Sequence, residues 1–204
     1  MYKVYIKNFM RNGNLVTTEE QMFAVPSVNG FPVQKPVVKA SEDAAENFTF
    51  TMESNSPYYD ALLQHKTLIR VIYDGPNGSD TDIIFDGKVL NISTSTVYHT
   101  KNVTCAGYYV FFNDSYYEGK QEKHRAKMTV AQYYASIISN HNSMIPEKAV
   151  TQGTTGVTLP TEQDKYEPTA WTQTSGLLSN LTSNYGGHML VKSSGNTRTL
   201  NWYK

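Results

Sequence analysis

The stretch LIRVIYDGPNGSDTDIIFDGKVLNISTSTVYHTKNVTCAGYY, Leu68–Tyr109, decides how this chain is read. Blocks rich in β-branched and aromatic residues alternate there with gaps of Gly, Asp, Asn and Pro, the signature of a β-meander. The blocks are LIRVIY, DIIF, KVLNISTS and KNVTCAGY. Asp86-Gly87 stands between two of them, and Asp-Gly supplies the positive φ that a two-residue hairpin demands. The expectation is four antiparallel strands, with DGPNGSDT and TVYHT as loops, a sheet large enough to organise its neighbours.

Working outward on the N-terminal side, Tyr2–Lys7 alternates as a strand, with Tyr2, Val4 and Ile6 on one face. Arg11-Asn12-Gly13-Asn14 is turn chemistry, so Leu15–Thr18 is expected to pair back as a hairpin. From Glu19 to Gln34 the pattern is poor, and Pro26, Gly30 and Pro32 predict an irregular excursion. Val37–Ala40 and Phe48–Met52 read as strands, and Tyr58–His65 as one or two helical turns.

Beyond the meander the period changes. Tyr109–Asp114 predicts a brief helix or turn, and Gly119–Lys127 an exposed charged loop. Thr129–Asn142 is the clearest helix: Val130, Tyr133, Tyr134, Ile137, Ile138 and His141 recur at the spacing of one helical face. Thr129 with Gln132 forms a capping box at its start. Gly156–Leu159 is a strand candidate. Thr172–Tyr185 is a second helix stopped by Gly186-Gly187, and His188–Ser193 with Thr197–Trp202 a closing hairpin. The class is therefore β-rich α+β: an antiparallel, barrel-like domain over residues 1–112, then a smaller α+β domain over 113–204.

Composition narrows the function. Eighteen basic and eighteen acidic residues cancel, so no global field favours nucleic acid or an anionic membrane. No apolar run reaches the length of a membrane span, and the start MYKVYIKNFM lacks the core of a signal peptide. A single cysteine, Cys105, excludes an internal disulfide and suits a reducing compartment. It shares strand parity with Val103, which places it in the sheet core.

The chemistry-bearing residues form no familiar constellation. His65, His99, His124, His141 and His188 are dispersed, with no HExxH, CxxC or carboxylate cluster to make a zinc site. His141 lies on the apolar face of the first helix and reads as a core histidine or end-cap. The acidic loop Asp74–Asp82 fails as an EF-hand, since Pro76 and Gly78 fall where ligands are required and Phe85 where a Glu is required. No GxSxG, P-loop or GxGxxG occurs. Six Asn-x-Ser/Thr matches, at Asn47, Asn77, Asn91, Asn102, Asn113 and Asn180, are chance products of Asn- and Thr-rich strands. The reading therefore names no catalytic, cofactor-binding or metal-binding residue, expects no enzyme activity, and leaves interface residues unassigned. An adhesion module binding carbohydrate through Trp171, Trp202 and surface tyrosines is the alternative; a hydrolase ranks below it.

An ordered set of short strings carries a resemblance. It comprises Phe48-Thr49-Phe50-Thr51-Met52, Pro57-Tyr58, Leu68–Tyr73, Gly87-Lys88-Val89, Val103-Thr104-Cys105-Ala106-Gly107, Phe112-Asn113-Asp114-Ser115, Thr129-Val130 and ISNHN at Ile138–Asn142. From about Val37 onwards the chain resembles the N-terminal hub region of tail-associated lysins, the prophage endopeptidase tail proteins of Gram-positive hosts. The resemblance implies a structural protein of the virion, assembled in the host cytoplasm. It implies a baseplate hub at the tail tip in which three copies close a ring beneath the distal tail protein. The tape measure protein and DNA would pass through the channel, and no cofactor is implied. Longer relatives continue into a second barrel and a lysin region; Lys204 falls about where that barrel would begin. A separate hub or lysin segment is accordingly an expected partner, and lytic activity is not carried over to this chain.

Overall fold

A computed structural model describes residues 1–25, 33–39, 46–75 and 81–204. The chain divides into two units, Met1–Tyr108 and Tyr109–Lys204, where the sequence placed the change at residues 112–113. The architecture is β-rich α+β.

In the first unit β1 (Tyr2–Lys7), β2 (Phe9–Arg11), β3 (Asn14–Val16), β4 (Glu20–Val25), β5 (Val33–Lys39) and β6 (Asn47–Glu53) precede the meander strands β7 (Leu68–Asp74), β8 (Thr81–Ser95) and β9 (Thr100–Gly107). Seven of them form one antiparallel sheet in the order β4-β1-β7-β8-β9-β6-β5. The sheet curls as a half-barrel, so β4 reaches across to β6: the rings of Phe23 and Phe50 lie 5.6 Å apart. Strand alternation fills the concave side with Val4, Ile6, Ile69, Val71, Phe85, Val89, Val103, Cys105, Phe48, Phe50 and Met52. Cys105 therefore points inward, as its parity with Val103 requires.

Three expectations change here. DIIF and KVLNISTS are not separate strands joined by a tight turn. They are one 15-residue strand, β8, that runs through Asp86-Gly87. Gly87 pairs with Ile69 of β7 on one side and with Gly107 of β9 on the other. It marks the place where β8 passes from one neighbour to the next, flanked by bulges at Val71/Ile72 and Val89/Asn91. Glu20–Val25, read as irregular, is instead the edge strand β4, which buries Met22 and Phe23. Tyr58–His65 makes turns and no helix. The true two-residue hairpin of this unit is Asn12-Gly13, with φ of 50° and 79°, between β2 and β3. The loop read as a failed EF-hand lies largely outside the described residues, at 76–80.

The second unit contributes β10 (Tyr116–Tyr117), β11 (Lys127–Met128), α1 (Val130–Met144), β12 (Thr151–Thr155), β13 (Lys165–Tyr166), β14 (Thr172–Gln173), α2 (Thr174–Tyr185), β15 (His188–Ser194) and β16 (Thr197–Tyr203). A 3₁₀ turn over Tyr108–Asn113 leads into it, matching the brief helix expected there. The sheet order is β12-β16-β15, with β12 parallel to β16. The Gly156–Leu159 strand candidate is not a strand; β12 lies just before it and Gly156 donates to the Trp202 carbonyl. The short pairs β10–β14 and β11–β13 complete the unit.

In α1 the capping box forms in both directions: the Thr129 hydroxyl accepts from the Gln132 amide, and the Gln132 side chain accepts from the Thr129 amide. Such a cap stabilises a helix by about 1 kcal/mol. The buried face is the one the periodicity names: Val130, Tyr133, Tyr134, Ile137, Ile138 and His141. Ser136, which the sequence sets opposite that face, is half-buried, 3.4 Å from the Tyr117 hydroxyl. The exposed position one turn on is Ser139. Ile137→Ala is therefore expected to cost roughly 2–5 kcal/mol in chemical denaturation, and Ser139→Ala less than about 0.5 kcal/mol. Equal costs would mean that α1 docks by another face.

Candidate functional site

Two polar constellations are buried in the second unit, both on elements that α1 holds in place. The first joins β10, the segment between β10 and β11, and the residue that follows β13. Glu167 is almost fully buried and receives the Lys120 ammonium at 2.7 Å, the Tyr117 hydroxyl at 3.1 Å and the Ala126 amide at 3.1 Å. Arg125 donates to its backbone carbonyl. Burial alone would push the Glu167 carboxyl up; the hydrogen bonds from Lys120, Ala126 and Tyr117 outweigh it and hold the group below the usual carboxylate range. Burial raises the neighbouring Tyr133 hydroxyl to about 12. Both carboxylate oxygens of Glu167 are thus engaged by the chain itself, as in a structural ion-pair network.

The second constellation looks more like chemistry. Ser115 Oγ is 2.7 Å from His141 Nδ1 and 2.8 Å from Thr174 Oγ1, while His141 Nε2 lies 3.1 Å from the Lys148 carbonyl. A serine within reach of an imidazole is the first requirement of an activated nucleophile. The second, a carboxylate orienting the imidazole, is absent: a backbone carbonyl occupies that place, and Asp114 is paired with Lys148 at 3.2 Å. Ser115, His141 and Thr174 each have no exposed surface, so no substrate reaches them. Burial lowers the His141 pKa, against the opposing pull of the Lys148 carbonyl and Asp114, and keeps the ring neutral near pH 7. The arrangement stitches segments together.

The other sequence candidates stay apart. His65, His99 and His124 are exposed, the first two with φ of 62° and 48° in turns. His188 stacks on Tyr203 at 5.5 Å. Burial pushes the Cys105 thiol far up, which makes it a poor nucleophile. Among the described residues no three His, Cys, Asp or Glu side chains converge as metal ligands. Among the described residues no helix is long and apolar enough to cross a membrane. Of the six glycosylation-like matches, Asn47, Asn91 and Asn102 sit in strands of the large sheet and Asn180 in α2.

Surface features of the first unit are of a different kind. The sheet leaves β4 and β5 as edges. β5 is blunted by Pro36, which lacks an N–H, by Lys35 with φ of 53° and by a bulge between Gln34 and Val37. At the tip joining β8 to β9, Val97 and Tyr98 are each 78% exposed. Toward the opposite end of those strands an apolar cavity of about 320 Å³ is lined by Tyr2, Val4, Pro36, Val38, Phe48, Val71 and Ile84.

Comparison with known proteins puts this architecture in context. The chain matches no protein-family model and no curated protein. Solved structures do share its fold. The prophage tail protein gp18 of Listeria monocytogenes EGD-e superposes with a TM-score of 0.56 at 12% identity, over 98% of this chain and 50% of that one. The tail protein of Neisseria meningitidis MC58 gives 0.51 at 13% identity, over 98% and 51%. The chain thus spans about half the length of each, and both of its units fall within the likeness. At such identities it is the fold that is shared.

Proposed function

We propose that this protein is a structural component of a phage tail or phage-tail-like particle and serves as a hub subunit of the baseplate. In this reading three copies surround the central channel at the tail tip beneath the distal tail ring. The tape measure protein and DNA pass through, and a further hub or lysin segment adjoins. The observation that carries it is the fold shared with two tail proteins over 98% of the chain. The physical character of the surface supports it. The groups with nucleophile-and-base spacing are sealed inside the second unit, whereas large apolar residues are exposed on both units, Val97 and Tyr98 on the first and Trp171 on the second. Aromatic side chains of this kind anchor protein interfaces because they combine large apolar area with a polar tip. Net neutrality removes charge repulsion between copies.

Ring subunits make heterologous contacts, one surface fitting a different surface of the next copy. Light scattering coupled to size exclusion tests the proposal. Mixed with its distal tail ring, the chain is expected to enter a particle holding three copies. A persistent free species of 23.0 kDa beside an intact ring overturns the hub reading, and glycan binding by the isolated protein would favour the adhesion alternative.

A further inference from the structure

His141 is fully buried near the C-terminal end of α1, where three other segments meet it. Its ring centroid lies 4.6 Å from that of Phe112. Ser115 Oγ approaches Nδ1 at 2.7 Å, and the Lys148 carbonyl approaches Nε2 at 3.1 Å. Ser115 in turn holds the start of α2, through the Thr174 hydroxyl at 2.8 Å and the Thr174 amide, which donates to the Ser115 carbonyl at 3.0 Å. One imidazole thus ties the segment before β10, the 3₁₀ turn Pro146–Lys148 and the first turn of α2 to α1.

The proton count in this network is constrained. A carbonyl oxygen only accepts, so Nε2 carries a proton. In the neutral ring Nδ1 is then an acceptor, and it competes with Thr174 Oγ1, to which Ser115 donates at 2.8 Å, for the single Ser115 hydroxyl hydrogen. A second proton makes Nδ1 a donor to Ser115, whose hydroxyl then donates to Thr174 alone. The result is a cation without water contact. The charged groups facing it are Asp114 and Lys148, which are paired with each other at 3.2 Å; Phe112, Ser115 and Thr174 bring no charge. The carboxylate is thus committed elsewhere, and the ammonium repels the imidazolium.

We propose that His141 is a proton-operated latch, whose protonation in mild acid loosens the corner where the end of α1, the Pro146–Lys148 turn and the start of α2 meet. The sign follows from linkage. Burial depresses the folded-state pKa below the ordinary imidazole value, so above that value both states are neutral and the latch is fully closed. As pH falls through the ordinary value the opened form binds the proton first, and stability is lost until the folded-state pKa is passed. The latch does not depend on the assembly reading.

Amide hydrogen exchange on the full chain tests it, read at Ile145, Lys148 and Thr174, whose amides are bonded to the carbonyls of His141, Ile145 and Ser115. After correction for intrinsic rates, their opening equilibrium in the wild type is expected to rise by up to about tenfold per pH unit below about pH 6.5. His141→Asn and His141→Gln should abolish that dependence. The ring proton shifts of His141 in the unmodified protein should titrate together with the opening, a readout that requires no variant to fold. Opening that is independent of pH, or that persists unchanged in both variants, overturns the proposal.

Discussion

Replacing Gly87 with alanine is expected to destabilise the first unit by about 3–5 kcal/mol, at the severe end of single substitutions. The reason is a close approach of two chains. Gly87 lies in the middle of β8, opposite Gly107, and a methyl group there would overlap the Ala106 carbonyl oxygen and come within 2.8 Å of the Phe85 ring. Neither neighbour gives way easily. The carbonyl belongs to β9, which is held by β8 and β6 on its two sides, and the ring of Phe85 is fully buried and packed at a tilt against Phe48, 5.6 Å between centroids. Interiors are packed too densely to absorb such an overlap. Cys105, buried one strand away, supplies the readout. Thiol labelling is expected to be slow in the native wild type and fast in Gly87→Ala, with circular dichroism recording a lower denaturation midpoint. A variant whose Cys105 labels as slowly as the wild type would show that β8 can bend elsewhere.

Gly87 also marks the boundary of what the sequence makes legible. Alternation identified β1, β6, β7 and β9 because each has one face buried against the same core. It failed at Asp86-Gly87 because the dipeptide has two uses. It turns a chain where both residues take positive φ, and it lets two strands touch where no Cβ is tolerated; only the neighbouring strand distinguishes them. β4 was missed because it is an edge strand opening on Glu20 and burying two adjacent residues, Met22 and Phe23, which is not alternation. β12, TQGTT, carries no large apolar side chain at all and is held in place by parallel pairing with β16. By contrast α1 was fully readable, since its capping box and its apolar stripe are both local. The periodicity even placed His141 on the buried face. Its partners were out of reach: Ser115 lies 26 residues away and Thr174 a further 33 from it along the chain, 59 from Ser115, and no short motif links them.

The largest effect expected in the second unit is at Trp202, where alanine should cost about 3–5 kcal/mol. The indole is fully buried in β16 between two tyrosines, one from each helix, meeting Tyr134 edge-on at 5.5 Å and Tyr185 at 6.4 Å. Its Nε1 donates at 2.9 Å to the Gly186 carbonyl, which caps α2. The tight approach is possible because Gly187, with φ of 76°, has no side chain: a Cβ there would overlap the Tyr203 carbonyl and sit 3.1 Å from that same Nε1. One ring therefore fixes α1, the end of α2 and the sheet at once, and removing it leaves a cavity that three elements would have to collapse together to fill. Trp202→Phe separates packing from the hydrogen bond. Gly186 is exposed, so water can satisfy its carbonyl, and phenylalanine is expected to recover most of the loss, leaving about 1–2 kcal/mol. Denaturant unfolding followed by circular dichroism measures both variants. If Phe proved as damaging as Ala, the bond to Gly186 and not the aromatic packing would be what holds this unit together.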